Sequence, residues 1–126
     1  MIDLKKRILA NNKEDLAEIE TQLAENLKPY LNLVSEVAHH ILFAGGKRLR
    51  PLLLVLAAKI CGYTEIYAKK VASAMEYLHA ATLLHDDVID DAILRRGKTV
   101  AHSVYGNAIT ILVGDFLLSR ALAICA

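Results

Sequence analysis

The stretch from Thr64 to Asp90 constrains the fold most, because it contains no glycine or proline over its whole length. Such a stretch, free of helix breakers, predicts one long helix at 64–90. A dense cluster of negative charge marks its end, formed by Asp86, Asp87, Asp90 and Asp91. Any fold of this chain must therefore hold a long helix whose last turn carries several carboxylates.

Two amphipathic helices are predicted before it. The first covers 13–27, with Asn12 as its predicted N-cap and an acidic first turn. Its apolar stripe consists of Leu16, Ile19, Leu23 and Leu27. The second places Pro29 in its first turn and is ended by Gly45 and Gly46. Its apolar stripe consists of Leu33, Val34, Val37, Ile41 and Leu42.

A third helix is predicted at about 47–61, with Gly62 as its stop. Its stretch from Leu52 to Ala58 is apolar on all sides, which predicts a buried position. A strand at 52–56 is the alternative, although the leucines favour a helix. A loop is predicted at 91–98, and a last helix runs from near Asn107 to the end of the sequence. With no alternating strand pattern, these elements predict an all-α class.

Bulk composition excludes few functions but points to none. The formal net charge of +1 gives no general case for nucleic-acid binding. Cys61 and Cys125 each lie in an apolar stretch and are expected to be buried, unpaired thiols. The apolar runs at 51–58 and 108–114 fall short of the roughly 20 residues needed to span a bilayer, so we expect no transmembrane segment and a cytoplasmic location.

The spacing of the aspartates indicates a metal site. Asp86 and Asp90 are four residues apart, so on a helix their side chains lie about 40° apart. Two carboxylates that close repel each other unless a cation compensates them, and Mg²⁺ prefers such oxygen ligands together with phosphate oxygens and water. His79 precedes Asp86 by two helical turns and falls on the same stripe. Asp87 points further away.

Basic residues flank this cluster in the sequence. Lys47 and Arg50 are three apart at the start of the third helix, whose N-terminus itself favours anions. Arg95 and Arg96 follow the aspartates directly. Carboxylates and guanidinium groups together suit a polyphosphate, since a metal bridges carboxylate to phosphate while arginine binds other phosphate oxygens. Each feature alone is more often an ordinary solvated surface.

Four segments in this order resemble the trans-isoprenyl diphosphate synthases, the polyprenyl synthetase family. Gly45 to Pro51 is similar to the basic motif, and Leu84 to Asp90 to the first aspartate-rich motif, Asp-Asp-x-x-Asp. Arg95-Arg96-Gly97 resembles the paired arginines, and Gly114-Asp115-Phe116 a recurrent segment. The resemblance covers most of residues 30–126. It implies the N-terminal helices of the isoprenoid synthase helical bundle.

The resemblance also implies roles for individual residues. Asp86 and Asp90 would ligate Mg²⁺ at the diphosphate of an allylic substrate, with Asp87 supporting that catalytic site. Arg95 would contact the same allylic diphosphate. The diphosphate of isopentenyl diphosphate would be bound by Lys47, Arg50, His79 and Arg96. The implied reaction is prenyl transfer, in which isopentenyl diphosphate condenses with the allylic diphosphate.

Product length is partly readable from the same resemblance. The residues four and five positions before the first motif aspartate often form the floor of the hydrophobic pocket. Here they are Thr82 and Ala81, neither of which is aromatic. An open floor implies a long product of the octaprenyl kind. Ordinary helix packing is the alternative for both residues.

The family's second aspartate-rich motif does not occur in these 126 residues. We therefore expect a single incomplete helical domain at 1–126 that is inactive alone. The resemblance implies a homodimer for full-length members and a possible C-terminal partner chain here. The alternatives are a non-catalytic binding or regulatory subunit, and a helical interaction domain with coincidental charges. A terpene cyclase is disfavoured, because it has no second diphosphate for the basic motif to bind.

Overall fold

The computed structural model describes residues 3–27 and 32–126, and within them the all-α class is confirmed. Seven helices and one small hairpin make up this part of the chain. In order they are α1 (Leu4–Asn11), α2 (Lys13–Glu25), α3 (Asn32–Leu42), α4 (Leu49–Ile60), α5 (Tyr67–Ile89), β1 (Leu94–Arg95), β2 (Lys98–Thr99), α6 (Ala101–Tyr105) and α7 (Asn107–Cys125). The predicted role of Pro29 lies outside the described residues.

The long helix α5 lies at the centre of the fold. It contacts α2, α3, α4, α6 and α7, and its contact with α7 is the most extensive. Five of its buried positions are alanines, namely Ala68, Ala72, Ala74, Ala80 and Ala81. Because alanine adds little volume, neighbouring helices can approach α5 closely on several sides. The core around it is completed by leucine, isoleucine and valine side chains of α2, α3, α4 and α7.

The stripe predicted for the first amphipathic helix is confirmed. Ile19, Leu23 and Leu27 are buried, although α2 itself ends at Glu25. Asn12 precedes α2 but makes no side-chain capping bond to it. Its Nδ2 instead donates to the carbonyl of Ile8 at 2.7 Å, in α1. Helix α1 was not predicted, because none of its residues is buried and its sequence carries no strong stripe.

The leucine-rich helix α4 differs from its prediction in two ways. It begins at Leu49, so the basic residue Lys47 lies in the preceding loop rather than in the helix. Only one of its faces is covered: Leu52 and Val55 are buried, whereas Leu53 is 66% exposed. The expectation of burial on all sides is therefore wrong, and the strand alternative is excluded by the observed helix.

The segment predicted as a loop at 91–98 contains a β-hairpin instead. Leu94 pairs with Thr99 and Arg95 with Lys98 in antiparallel register. The two turn residues, Arg96 and Gly97, have positive φ values of 51° and 75°. Two-residue hairpin turns favour this conformation because its twist matches that of the strands. The hairpin places Arg95 on a strand and Arg96 at the tip.

The expectation that both cysteines are buried is wrong in this structure. Cys61 and Cys125 are both free and exposed rather than buried. Among the described residues, α7 has the length and composition of a membrane-spanning helix, contrary to the estimate from its short apolar runs. Core helices of soluble proteins share these properties, and α7 packs along α5. Its apolarity therefore supports no membrane assignment.

Candidate functional site

The basic loop between α3 and α4 is held by Arg48. This residue takes a left-handed backbone conformation (φ 57°) at the N-cap position of α4, and its side chain is buried. Its guanidinium donates hydrogen bonds to Glu20 of α2, to Glu76 of α5 at 3.1 Å and to the carbonyl of Leu42 at the end of α3. Arg48 therefore joins three helices to the loop.

An open pocket of about 380 Å³ lies beside this loop. Its lining includes Lys47 from the loop, Arg50 from α4, His79 from α5 and Arg96 from the hairpin tip. These four residues, assigned in sequence to one diphosphate, thus meet at one pocket although 49 positions separate the first from the last. The acidic residue in the lining, Glu76, is neutralised by its ion pair with Arg48.

Burial and the positive charge of this pocket lower the pKa values of two lining residues. Burial lowers the pKa of His79, and the nearby guanidinium of Arg50 lowers it further. The nearby ammonium group of Lys5 lowers the pKa of Lys47, because both groups carry the same charge. His79 is therefore a neutral imidazole near pH 7. A bound anion would favour the protonated forms of both side chains.

The aspartate cluster separates into exposed and buried carboxylates. Asp86 and Asp90 are exposed at the end of α5, and the amide of Asp90 donates to the carbonyl of Asp86 at 2.8 Å, which preserves helical spacing. Among the described residues, neither carboxylate forms an ion pair. Asp87 is buried and accepts two hydrogen bonds from Arg95, at 2.9 and 2.7 Å. This bond raises the pKa of Arg95.

The exposed pair fits a cation that is shared with a ligand. Within the described ranges, no group of three or more histidine, cysteine, aspartate or glutamate residues is arranged to hold a metal ion. Two carboxylates on successive turns do, however, match the donor set of a hard divalent cation that completes its shell with water and phosphate oxygens. Such a site would form only with its ligand.

The two residues assigned to product length lie on different sides of α5. Thr82 is exposed, one turn before Asp86, and its hydroxyl donates to the carbonyl of His79 at 2.7 Å. Ala81 is buried and belongs to the core of the described residues. Thr82 therefore shares the exposed side with the carboxylates, and Ala81 packs inside.

The segment Gly114-Asp115-Phe116 has a packing explanation. A Cβ atom added to Gly114 would lie 2.6 Å from Cδ2 of His85, so only glycine allows α7 to approach α5 here. His85 Nε2 lies 3.0 Å from the carbonyl of Ile111 and 3.4 Å from the carboxylate of Asp115. The contact fixes α5 immediately before Asp86. A glycine inside an otherwise apolar helix was the signal for it.

Comparison with known proteins settles the family. Residues 31–126 match the polyprenyl synthetase family. The chain belongs to this family. It is 45% identical over 121 residues to the all-trans-nonaprenyl-diphosphate synthase (geranyl-diphosphate specific) of Rhodobacter capsulatus, covering 95% of this chain and 37% of that protein. The octaprenyl diphosphate synthase of Escherichia coli is 42% identical over 108 residues, covering 86% of this chain and 33% of that protein.

A solved polyprenyl synthetase structure has the same fold. The polyprenyl synthase of Caulobacter crescentus, crystallised with calcium and isoprenyl diphosphate, aligns with a TM-score of 0.89 and 40% identity, covering 96% of this chain and 37% of that one. This chain therefore spans about a third of the length of the relatives it matches. The resemblance stated from the sequence motifs is confirmed at the level of the family.

Proposed function

We propose that this chain provides the first substrate-binding wall of a synthase that elongates prenyl diphosphates to long products. The observation that carries the proposal is the convergence of Lys47, Arg50, His79 and Arg96 on one pocket. Its only lining carboxylate among the described residues is already paired with Arg48. The pocket therefore has unneutralised positive charge, which suits the diphosphate of isopentenyl diphosphate.

The second diphosphate is assigned to the exposed carboxylates. Asp86 and Asp90 would hold Mg²⁺ against the diphosphate of the allylic substrate. When bound, Mg²⁺ supplies the positive charge that stabilises the departing pyrophosphate. Arg95 uses Nε and Nη2 for Asp87, so its Nη1 is available to donate to a phosphate oxygen. The related Caulobacter crescentus protein, which contains calcium and isoprenyl diphosphate, supports a divalent cation with this ligand class.

The arrangement suits transfer between two diphosphates. The isopentenyl double bond would attack the allylic carbon as pyrophosphate leaves, and loss of a proton would restore an alkene. The two sites share α5, because His79 and Asp86 both lie on it, two turns apart. One rigid helix therefore sets the distance between the two substrates. Holding both substrates at a fixed distance lowers the entropic cost of bringing them together for reaction.

We assign Thr82 to the side of α5 along which the growing prenyl product extends. It is exposed, carries no aromatic ring and lies one turn before Asp86. The long products named for the Rhodobacter capsulatus and Escherichia coli relatives support this assignment. Ala81 would act indirectly, since a larger residue in the packed interior would displace α5.

Binding and turnover are separate parts of the proposal. These 126 residues contain one aspartate-rich motif, so we expect substrate binding here and turnover only with the complementary part of the site, supplied by further sequence or by a partner chain. The second candidate function is a binding subunit that never turns over. Mixing this chain with the C-terminal two thirds of a relative and measuring prenyl transfer separates the two.

Calorimetry with matched variants tests the proposed sites. Isopentenyl diphosphate should bind without Mg²⁺ and lose affinity in Arg50→Met, but not in Asp90→Asn. An allylic diphosphate should need Mg²⁺ and lose affinity in Asp86→Asn and Asp90→Asn. Circular dichroism confirms that each variant is folded. Binding that is indifferent to Arg50→Met in a folded chain would contradict the pocket assignment, and Mg²⁺-independent allylic binding would contradict the metal site.

A further inference from the structure

Helix α1 contributes a residue to the basic pocket that no sequence motif assigns. Lys5 lines the pocket together with Lys47, Arg50 and Arg96. It lies outside residues 31–126, the part of the chain that matches the polyprenyl synthetase family. The pocket therefore has an outer wall that the family's motifs do not describe.

This helix is only loosely attached to the rest of the chain. None of its residues is buried, and Leu9 is the one residue of α1 that is partly covered. Between α1 and α4 lies an apolar groove of about 460 Å³, into which Leu4 and Ile8 face with the leucines of α4. A helix with so few buried contacts opens at low free-energy cost.

The positive charges of Lys5 and Lys47 favour binding of an anion between α1 and the basic loop. Lys5 and Lys47 both line the pocket, and the nearby ammonium group of Lys5 is the largest cause that lowers the pKa of Lys47. Asp3, the N-cap of α1, offsets part of it, because its charge raises the same pKa. A diphosphate between the two lysines would turn their repulsion into two attractions.

We propose that Lys5 is a further diphosphate-binding residue and that α1 is the outer wall of the basic pocket, drawn onto α4 when the anion binds. The proposal rests on the diphosphate-binding function proposed above for this pocket. Closure would bring Leu4 and Ile8 against Leu53 of α4, which is 66% exposed, so part of the gain is apolar burial. The ligand class is a compound with a terminal diphosphate.

Lys6 offers a matched control for Lys5. It is the neighbouring lysine on α1, points to another side of the helix and does not line the pocket. Inorganic pyrophosphate, titrated into the 126-residue chain, is the probe. Lys5→Ala should weaken its binding by about two- to fivefold, the size of one exposed ion pair, whereas Lys6→Ala and Lys5→Arg should stay near wild type.

Methyl NMR gives a second readout. Pyrophosphate should shift the signals of Leu4 and Ile8 in the wild-type chain and leave them nearly unchanged in Lys5→Ala. Equal losses of affinity in Lys5→Ala and Lys6→Ala, or none in either, would overturn the inference. If wild type binds pyrophosphate and Arg50→Met does not, the assignment of the pocket to a diphosphate is supported independently of Lys5. If folded wild type fails to bind pyrophosphate, both the pocket assignment and the role of Lys5 are wrong.

Discussion

The buried carboxylate of Asp87 and the guanidinium of Arg95 form a two-bond ion pair that joins the end of α5 to the hairpin. The side chain of Asp87 is 7% exposed and that of Arg95 is 33% exposed. Asp86, the residue before Asp87, is exposed to solvent. The aspartate motif therefore combines a structural carboxylate with carboxylates that are available to a cation.

Asp87→Asn is expected to lower the free energy of unfolding by about 1.5–3 kcal/mol, because it weakens charge-assisted hydrogen bonds at a buried position. Asp86→Asn, at an exposed position, should change it by less than about 0.5 kcal/mol. Urea unfolding followed by circular dichroism measures both. Equal stability losses in the two variants would contradict the conclusion that Asp87 is structural and Asp86 is not.

Arg48 and Arg50 provide a second matched pair. Arg48→Met leaves the buried carboxylate of Glu76 without its partner and should cost about 3 kcal/mol of stability. Arg50→Met, at an exposed position, should leave stability nearly unchanged and remove isopentenyl diphosphate binding. Denaturant unfolding and calorimetry on the same samples separate the effects. A stable Arg48→Met chain would show that the loop does not depend on this ion-pair cluster.

Gly114→Ala is expected to destabilise the chain by about 1–3 kcal/mol, because its Cβ would overlap the imidazole of His85 on the neighbouring helix α5. At an unconstrained helix position the same change would stabilise instead. A double-mutant cycle with His85→Ala measures the coupling, since removal of the imidazole should relieve most of the penalty. An unchanged penalty in the double variant would point to a different cause.

The free energy of unfolding should decrease as pH decreases, because protonation of His79 is less favourable in the folded chain than in the unfolded chain. Its folded-state pKa lies below the ordinary value of 6.5, so at pH values just below 6.5 the unfolded chain binds more protons than the folded chain. This contribution is complete above 6.5 and is lost as pH falls through the folded-state pKa. His79→Gln should therefore show a smaller loss of stability than wild type between about pH 7 and pH 5. Urea unfolding at several pH values measures the difference, and parallel curves would contradict it.

The sequence predicted the elements that depend on local patterns. The stripe of Ile19, Leu23 and Leu27 repeats at helical spacing, so its burial follows from the pattern alone. Helix α1 escaped prediction because little of its surface is covered, and the hairpin because each of its strands has only two residues. Neither feature leaves a periodic signal.

By itself the sequence determined the family, the all-α class and the residue types of the candidate site, because motif order and helical spacing are properties of neighbouring residues. Only the tertiary structure decided which charges remain free. Arg48 turns inward because Glu20 and Glu76, each 28 residues away, meet it in the interior, while Lys47 and Arg50 remain at the pocket. Such pairings join distant segments, and a charged side chain becomes structural or available according to what the packed helices place beside it.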